Sequence, residues 1–388
     1  MKKNIAIFGS TGSIGKTLFD IIQRDKNKFC VKLLTSHKNT KILLKQIKVF
    51  KVKNIIITDK KSFLKLKKFS KNTNLNIYND FSELGKIFKN RKIDYLMNSI
   101  SGLDGLEPTL KAIKFCKSIA IANKESIICG WNLIENELLK FNTKFIPIDS
   151  EHFSIMSLLD NTQIKDIESI FITASGGPFL NYPLSKFKSI TPKLALNHPN
   201  WKMGKKISID SATMMNKVFE IIEARKIFNV DYKKLNILIH SKSYVHAIIK
   251  FSNGLTKILV HDTNMTIPIF NSIHNNFQKK IISKKFDIDK MNNLDFKKVD
   301  IKKFPVVKLI SKLSYNHSLF ETVLVSANDA LVNKFLNNEI SFIDISQNLI
   351  KIVKNNEFLK YKNIKPKNVR EIIKLQKYVI SKTNLMCI

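Results

Sequence analysis

Three glycines near the N-terminus, Gly9, Gly12 and Gly15, constrain this chain more than any other feature of its sequence. They follow an apolar run at residues 5–8 and precede a stretch whose apolar residues recur at helical spacing. A glycine-rich turn between a buried strand and a helix lets the backbone approach a pyrophosphate, to which the helix N-terminus offers N–H groups. The spacing is GxxGxxG rather than GxGxxG, but the flanking strand and helix favour a binding turn over an ordinary one. These residues therefore predict a dinucleotide-binding βαβ unit.

The end of the second predicted strand indicates which dinucleotide binds. Sites for NAD usually place Asp or Glu there, about 20 residues beyond the glycines, to bind the ribose 2′-hydroxyl. This chain has Thr-Ser-His-Lys-Asn at residues 35–39, with no carboxylate, and its hydroxyls and the Lys38 cation suit a 2′-phosphate. An ordinary surface role for Lys38 stays open in so lysine-rich a chain, so the missing acid is the stronger argument. The sequence predicts NADPH as the cofactor.

Short apolar runs alternate with amphipathic helical stretches up to about residue 150, a pattern typical of an α/β fold with a parallel sheet. The runs lie at residues 5–8, 31–34, 54–57, 95–97, 118–122 and 145–148. Beyond residue 150 the sequence pattern is typical of an α+β fold. From residue 304 onward, apolar residues recur at helical spacing. We predict an NADPH-binding domain of Rossmann type (1–150), an α+β catalytic domain (151–274) with a flexible loop (197–206), a linker (275–303) and a C-terminal helical bundle (304–388).

Composition excludes several other classes of protein. The 388 residues include 66 Lys and Arg against 31 Asp and Glu, a formal net charge of +35. The lysines are scattered through nearly every block of ten, which indicates compositional bias rather than a nucleic-acid-binding face. The four cysteines form no CxxC pair, so neither a zinc site nor disulfides are indicated, and reduced thiols favour a cytoplasmic protein. Because no apolar run reaches about 18 residues, we predict no membrane span and no membrane partner.

Two predicted strands end in chemically unusual residues. The run at 118–122 is followed by Asn123, Lys124 and Glu125, and the run at 145–148 by Asp149-Ser150-Glu151-His152. Ligands of open α/β sheets lie beyond the carboxyl ends of strands. Asp149 and Glu151 at one strand tip can converge on a hard cation and leave positions for water and substrate. An exposed acidic turn is the alternative.

A later helical stretch supplies a third acid. Asn216 and Glu220 stand four residues apart on one face, and Lys217 precedes Glu220 by three residues. Glu220 can complete the metal site, while Asn216, Lys217 and the preceding Ser211 reach a phosphate. Taken alone, a Lys–Glu pair on a helix is usually a surface ion pair.

Two loops lie between these motifs. The glycine-rich turn at 173–179 brings Ser175 and backbone N–H groups to an anion. The loop at 198–204 carries Trp201 between a proline and a glycine, and we interpret it as a lid that excludes water. A tryptophan packed into the domain edge is the alternative.

Together these motifs resemble those of the 1-deoxy-D-xylulose 5-phosphate reductoisomerase family, NADPH-dependent enzymes of non-mevalonate isoprenoid biosynthesis. The resemblance covers residues 1 to about 270 in the family's order, with a looser match around residues 326–330. The matching strings are GSTGSIG (9–15), ANKES (122–126), DSEH (149–152), SGGPF (175–179), HPNWKMG (198–204), KISIDSATMMNK (206–217) and EARKIFN (223–229).

The resemblance implies a role for each matching residue. It implies cofactor contacts from Thr11, Gly12, Ser13, Ile14, Lys38, Asn39, Asn123, Glu125 and Gly204. It implies Mg²⁺ or Mn²⁺ on Asp149, Glu151 and Glu220. It implies substrate contacts from Lys124, Ser150, Glu151, Ser175, His198, Ser211, Asn216, Lys217 and Glu220. Among these, Lys124, Glu151 and His198 are the expected catalytic residues.

The implied activity is reductive isomerisation of 1-deoxy-D-xylulose 5-phosphate to 2-C-methyl-D-erythritol 4-phosphate by a homodimer. The chain departs from the family at Val218, His37, Ser241 and Thr266, none of which is a proposed metal ligand. Two rival hypotheses remain at this point. One is another NADPH-dependent sugar-phosphate or homoserine-type dehydrogenase, which leaves the paired strand-end acids unexplained. The other is a basic nucleic-acid-binding protein, which the scattered lysines disfavour.

Overall fold

The computed structural model describes residues 2–69, 74–160, 162–201, 203–274, 280–281, 283–285, 287–314 and 316–386. The chain forms two compact units. The first unit comprises Met1–Ile127, Asn132–Asp149 and Met265–Ile282. The second unit comprises Ile128–Trp131, Ser150–Asn264 and Ser283–Ile388.

The elements are numbered in chain order. The strands are β1 (Lys3–Phe8), β2 (Phe29–Ser36), β3 (Asn54–Ile57), β4 (Asn76–Tyr78), β5 (Tyr95–Asn98), β6 (Ser118–Ile121), β7 (Lys144–Pro147), β8 (Ile167–Ala174), β9 (Leu235–Ile239), β10 (Val245–Phe251), β11 (Thr256–Val260) and β12 (Lys297–Lys298). The helices are α1 (Ser13–Arg24), α2 (Thr40–Phe50), α3 (Lys60–Phe69), α4 (Leu84–Phe88), α5 (Leu106–Ile113), α6 (Lys124–Phe141), α7 (Ser150–Leu158), α8 (Pro192–Ala195), α9 (Lys205–Ala212), α10 (Met215–Phe228), α11 (Thr266–His274), α12 (Ile288–Asn292), α13 (Phe320–Leu336), α14 (Phe342–Lys354), α15 (Asn356–Leu359) and α16 (Val369–Met386).

The first unit is built on a parallel sheet in the order β4-β3-β2-β1-β5-β6-β7. Strands covered on both faces need continuous apolar runs, and in β1 the side chains of Ile5, Ile7 and Phe8 are fully buried. Strand order reverses between β1 and β5, so the crevice expected for a ligand lies at their carboxyl ends. The predicted Rossmann-type sheet is confirmed. The structure adds β4, which the sequence did not predict because this edge strand is short, polar and half-exposed.

Helix α11 belongs to the first unit although it follows most of the second unit in the chain. Tyr95 on β5 hydrogen-bonds Ser272 between hydroxyl groups at 2.8 Å, and the Lys3 ammonium donates to the Ile273 carbonyl at 2.7 Å. The predicted catalytic domain (151–274) includes these residues, because helical periodicity does not reveal which unit a single helix packs against. The four-part division of the chain stays a prediction.

The second unit contains a mixed sheet in the order β11-β10-β8-β9-β12, with helices α7 and α10 packed on it. Strands β8 and β9 are parallel, and the other neighbouring pairs are antiparallel. Helix α13 packs against α14 and α16, and its Val323, Leu324 and Ala327 are fully buried. The predicted α+β region and C-terminal helical bundle are confirmed.

The predicted linker, residues 275–303, is only partly covered, because residues 275–279, 282 and 286 lie outside the described residues. Its described part contains α12 and β12, and β12 pairs with β9. Across the described ranges, every helix is too short or too polar to span a bilayer.

Candidate active site

The glycine loop of the first unit has the conformation that its sequence predicts. Gly9 has φ +71°, and a Cβ atom there would lie 2.8 Å from the Ser99 carbonyl oxygen. A Cβ atom on Gly15 would lie 2.4 Å from the Gly9 carbonyl oxygen, so neither position accepts a side chain without a backbone shift. Gly12 is the N-cap of α1, and among the described residues no side chain caps this helix and no acid occupies its first turn. The N–H groups of Ser13 and Ile14 are therefore placed for an anion.

The end of β2 lies beside this loop. The Gly9 N–H donates to the Thr35 hydroxyl at 2.9 Å, and the hydroxyls of Thr11 and Ser36 lie 2.9 Å apart. Lys38 is exposed at the start of the next turn. Asn39 caps α2, because its side-chain oxygen accepts from the Ile42 N–H at 3.1 Å.

The first carboxylate in the chain beyond β2 is Asp59, which follows β3. Hydrogen bonds from Ser62 hold the pKa of Asp59 below its usual value, and the nearby positive charges of Lys38 and His37 contribute in the same direction. Asp59 was not predicted as part of the site, because it follows a different strand. Asp59 therefore places a negative charge near Lys38, but it is not at the end of β2, where NAD-binding sites have their acid.

The end of β6 is held by Asn123. Its side-chain oxygen caps α6 by accepting from the Ser126 N–H at 2.7 Å, and its amide nitrogen donates to the Gly102 carbonyl at 2.5 Å. Glu125 is half-buried in the first turn of α6. Lys124, between them, forms an ion pair with Asp149, which also belongs to the first unit.

Two buried acids of the second unit share one ammonium group. Lys217 Nζ lies 2.6 Å from Glu220 Oε2 and also donates to Glu151 Oε1, and all three side chains are at least nine-tenths buried. Burial by itself lowers the pKa of Lys217, but the charges of Glu151 and Glu220 outweigh it and raise that pKa. Each acid has a further donor, Asn216 for Glu220 at 2.5 Å and Ser150 for Glu151 at 2.5 Å.

This arrangement suits a cation. Burying charged groups is unfavourable unless they are paired, and here two carboxylates face a single lysine. A carboxylate oxygen of Glu151 and one of Glu220 lie within 4.8 Å of each other. Asp149 stands directly before Ser150 in the chain and two residues before Glu151. Three carboxylates are the oxygen ligands that Mg²⁺ and Mn²⁺ prefer.

A left-handed residue sets the direction of α10. Met214 has φ +67° and is buried, which is uncommon for a residue with a side chain. It separates α9 from α10, so that α10 begins at Met215 with Asn216 and Lys217 in its first turn. Residues held in such conformations often cluster at functional sites.

The glycine-rich turn after β8 lies against the end of α9. Gly177 has φ +66°, and a Cβ atom there would lie 3.0 Å from the Ser211 carbonyl oxygen. This close approach brings the turn that carries Ser175 to the half-buried Ser211. Ser175 and Ser211 are both predicted phosphate ligands, and the turn that carries Ser175 lies against the backbone of Ser211.

His198 is fixed in one neutral form beside Ser175. Its Nδ1 accepts from the N–H groups of Asn200 and Trp201, each at 3.1 Å, so the proton lies on Nε2. Nε2 then donates to the Ser175 hydroxyl at 3.1 Å. Burial, with a smaller contribution from the positive charge of Lys217, lowers the pKa of His198 to about 4. His198 is thus a neutral donor at physiological pH.

The predicted flexible loop, residues 197–206, is described except for residue 202. The Asn200 amide donates to the Ser241 carbonyl at 2.7 Å and to the Ser243 hydroxyl at 2.9 Å. Gly204 is exposed and is the N-cap of α9, and a Cβ atom there would meet no other atom within 4 Å. Its predicted contact with the cofactor stays a prediction.

Sequence reasoning missed several residues of this neighbourhood. Lys206 Nζ lies 3.2 Å from Asp210 Oδ2 and 3.0 Å from Asp329 Oδ1, and the Asn328 amide donates to Asp210 Oδ1 at 2.7 Å. Helix α13 thus holds the residue directly before Ser211. The string at 326–330 was the available signal, but pairing over 118 residues is not readable from a single sequence.

Comparison with known proteins matches three parts of the chain to models of one enzyme family. Residues 5–130 match the family model described as 1-deoxy-D-xylulose 5-phosphate reductoisomerase. Residues 145–228 and 261–380 match two models of the C-terminal domains of the same enzyme.

Two curated relatives and two solved structures of similar sequence and fold are reductoisomerases. The reductoisomerase of Pelagibacter ubique is 61% identical over 387 residues and covers 100% of both chains. That of Clostridium novyi is 39% identical over 345 residues, 88% of this chain and 90% of the relative. The Zymomonas mobilis enzyme, solved with NADPH, is 28% identical with a TM-score of 0.88 over 100% and 99% of the chains. A DOX-P reductoisomerase solved with NADPH, fosmidomycin and magnesium is 27% identical with a TM-score of 0.89 over 99% and 98%.

Proposed function

Because the chain belongs to the 1-deoxy-D-xylulose 5-phosphate reductoisomerase family, we propose that the clusters around Lys124 and Lys217 form its active site. The protein is an NADP-dependent oxidoreductase of isoprenoid biosynthesis, which converts 1-deoxy-D-xylulose 5-phosphate to 2-C-methyl-D-erythritol 4-phosphate with NADPH and a divalent metal. One observation carries the assignment of residues. Two buried carboxylates on different elements, Glu151 and Glu220, converge on the single ammonium group of Lys217.

Asp149, Glu151 and Glu220 are the proposed metal ligands. This set of carboxylates fits a divalent cation. Glu151 and Glu220 concentrate negative charge in the second unit, and a positive group, the Lys217 ammonium, already pairs with both. A bound Mg²⁺ or Mn²⁺ supplies Lewis acidity, which polarises carbonyl and hydroxyl oxygens of the substrate. Ser150 donates a hydrogen bond to Glu151, and Asn216 donates one to Glu220. These hydrogen bonds orient the two carboxylates as metal ligands.

The first unit is proposed to bind NADPH through the start of α1. Ser13 and Ile14 present N–H groups to the pyrophosphate, with the N-cap Gly12 and Thr11 beside them. Lys38, Asn39, Asn123, Glu125 and Gly204 are the other proposed cofactor residues. The absence of a carboxylate at the end of β2 and the exposed Lys38 support recognition of a 2′-phosphate.

The substrate phosphate is proposed to bind between the turn at Ser175 and the start of α10. His198 donates through Nε2, and Ser211, Asn216 and Lys217 complete a set of donors suited to a phosphate. Binding energy from this remote group can drive closure of the 197–206 loop and orient the reacting carbons. Closure also excludes water from the reaction.

Proton transfer is proposed to involve Lys124 and Glu151, with His198 as a neutral hydrogen-bond donor. Lys124 is paired with Asp149, and Glu151 accepts hydrogen bonds from Lys217 and Ser150, so both side chains are held in place before substrate arrives.

Two further proposals concern the whole protein. We infer a homodimer, an inference that rests on the family resemblance and is checked by light scattering coupled to size-exclusion chromatography. We also infer a cytoplasmic location, supported by the free thiols of Cys30 and Cys116, since reduced cysteines are typical of that compartment.

A direct assay tests the proposed site. NADPH absorbance is followed with 1-deoxy-D-xylulose 5-phosphate, first without divalent metal and then with Mg²⁺. We expect oxidation only with metal, and Lys124→Met should abolish it while exposed Lys111→Met on α5 does not. Equal turnover by both variants would exclude Lys124 from catalysis.

A further inference from the structure

Two imidazoles stack in the second unit next to the tryptophan of the 197–206 loop. The ring centroids of His246 and His261 lie 3.7 Å apart with an interplanar angle of 14°, and the residues are 2% and 8% exposed. His246 Nε2 also donates to the backbone carbonyl of His261 at 3.2 Å. Residue 261 therefore holds His246 through both its ring and its backbone.

The His261 ring is held in a fixed orientation and presents one face to His246. Its Nδ1 donates to the Asp262 carbonyl at 2.8 Å, which fixes the plane of the ring. Its Nε2 is buried and has no hydrogen-bond partner within the described part of the chain. Phe153 lies edge-on at a centroid distance of 6.4 Å. The His261 ring is therefore held in one orientation and offers a flat face on which the His246 ring stacks.

His246 in turn contacts the loop. The Trp201 ring stands edge-on to the His246 ring, with centroids 6.3 Å apart and an interplanar angle of 74°. The Trp201 backbone N–H donates to His198 Nδ1. Trp201 is thus attached at two points, its backbone to His198 and its ring to His246, and the second point depends on the orientation of His246.

We propose that His261 is a positioning residue: by stacking on His246 it orients the Trp201 ring, and with it the loop that places His198 against the substrate phosphate. This inference rests on the proposed function of His198. An aliphatic side chain at 261 fills similar volume but presents no flat face, whereas phenylalanine preserves the stack. Because His246 also bonds to the residue-261 backbone, its hydrogen bond survives either substitution.

The experiment compares His261→Leu and His261→Phe with wild type and with His317→Leu, a substitution of another histidine of the second unit outside this stack. The first readout is Trp201 fluorescence without substrate, isolated by subtracting the spectrum of Trp201→Phe. The second is the pair of KM values, for 1-deoxy-D-xylulose 5-phosphate and for NADPH.

We expect His261→Leu to change the Trp201 emission and to raise the substrate KM by about tenfold, within the hundredfold that a misplacement of about 1 Å can cost. The KM for NADPH should stay constant, and His261→Phe should restore both readouts. The control, His317→Leu, should match wild type in emission and substrate KM.

Three outcomes overturn the inference: unchanged emission in His261→Leu, a changed emission with an unchanged substrate KM, or equal impairment of the Leu and Phe variants. Absence of turnover in the wild type would refute the proposed function instead. The fluorescence comparison would then still decide whether residue 261 orients Trp201.

Discussion

The ammonium group of Lys217 lies 2.6 Å from the carboxylate of Glu220, one turn further along α10, and both side chains are more than nine-tenths buried. Lys217 also donates to Glu151, which lies 66 residues earlier in the chain. One lysine is therefore shared by two acids that we assign to a divalent metal. The consequences for metal affinity and for stability can be measured separately.

Glu220→Gln should lower the affinity for Mn²⁺ by at least about ten- to a hundredfold, the loss seen when only an outer neighbour of a ligand is removed. The amide keeps the shape of the side chain, so folding should be retained. Calorimetric titration of Mn²⁺ measures the affinity, with exposed Glu107→Gln on α5 as the matched control. Equal Mn²⁺ affinity in wild type and Glu220→Gln would remove Glu220 from the metal site.

Lys217→Met should lower the free energy of unfolding by about 3–5 kcal/mol without metal, because two buried carboxylates lose their shared cation. Added Mg²⁺ should recover part of that loss, since it binds the folded state preferentially. Urea unfolding with and without Mg²⁺ measures both effects. An unfolding free energy equal to that of wild type would show that the buried charges are not coupled.

The unfolding free energy should fall as the pH is lowered from about 6.5 towards 4. Burial lowers the pKa of His198 and of His317 to about 4 each, and nearby lysines contribute. Between the unfolded pKa near 6.5 and the folded pKa near 4, the unfolded chain binds protons that the folded chain does not, so acid favours unfolding. Stability from these two groups is fully present above pH 6.5 and is lost through this window.

Urea titrations at several pH values test this dependence. The double variant His198→Gln, His317→Gln should have a shallower slope between pH 6.5 and 4 than wild type. His37→Gln, a substitution of an exposed histidine, is the matched control. A double variant with the wild-type slope would contradict the lowered pKa values.

Lys38→Glu should reduce the preference for NADPH over NADH by more than about tenfold, because a carboxylate repels a 2′-phosphate and can accept from a ribose 2′-hydroxyl. Lys32→Glu makes the same change in net charge on an exposed residue of β2 and serves as the control. The ratio of kcat/KM for the two cofactors is the measurement. Equal loss in both variants would assign the effect to net charge alone.

Much of the first unit was predictable because its signals are local. The glycine loop and the strand before it span thirteen consecutive residues, 3–15, and steric constraints within that stretch exclude side chains at Gly9 and Gly15. Buried parallel strands require apolar runs, which the sequence displays directly. Edge strand β4 lacks such a run, and it was not predicted.

The candidate site was predictable as a set of residue types but not as a set of contacts. Acids at a strand tip and a Lys–Glu pair on a helix are visible in the chain. Their convergence depends on how α7 and α10 pack on the second sheet. The same holds for His246 and His261, which lie on or beside neighbouring antiparallel strands and meet through the register of β10 and β11.

By itself, the sequence determined the cofactor loop, the parallel sheet of the first unit and the identity of the charged groups, because these follow from local sterics and hydrophobic periodicity. Only the tertiary structure decided that Lys217 neutralises Glu151 as well as Glu220, that α11 returns to the first unit and that His261 stacks on His246. These relationships join residues through packing between elements, and the energy of such contacts depends on positions that no single stretch of sequence specifies.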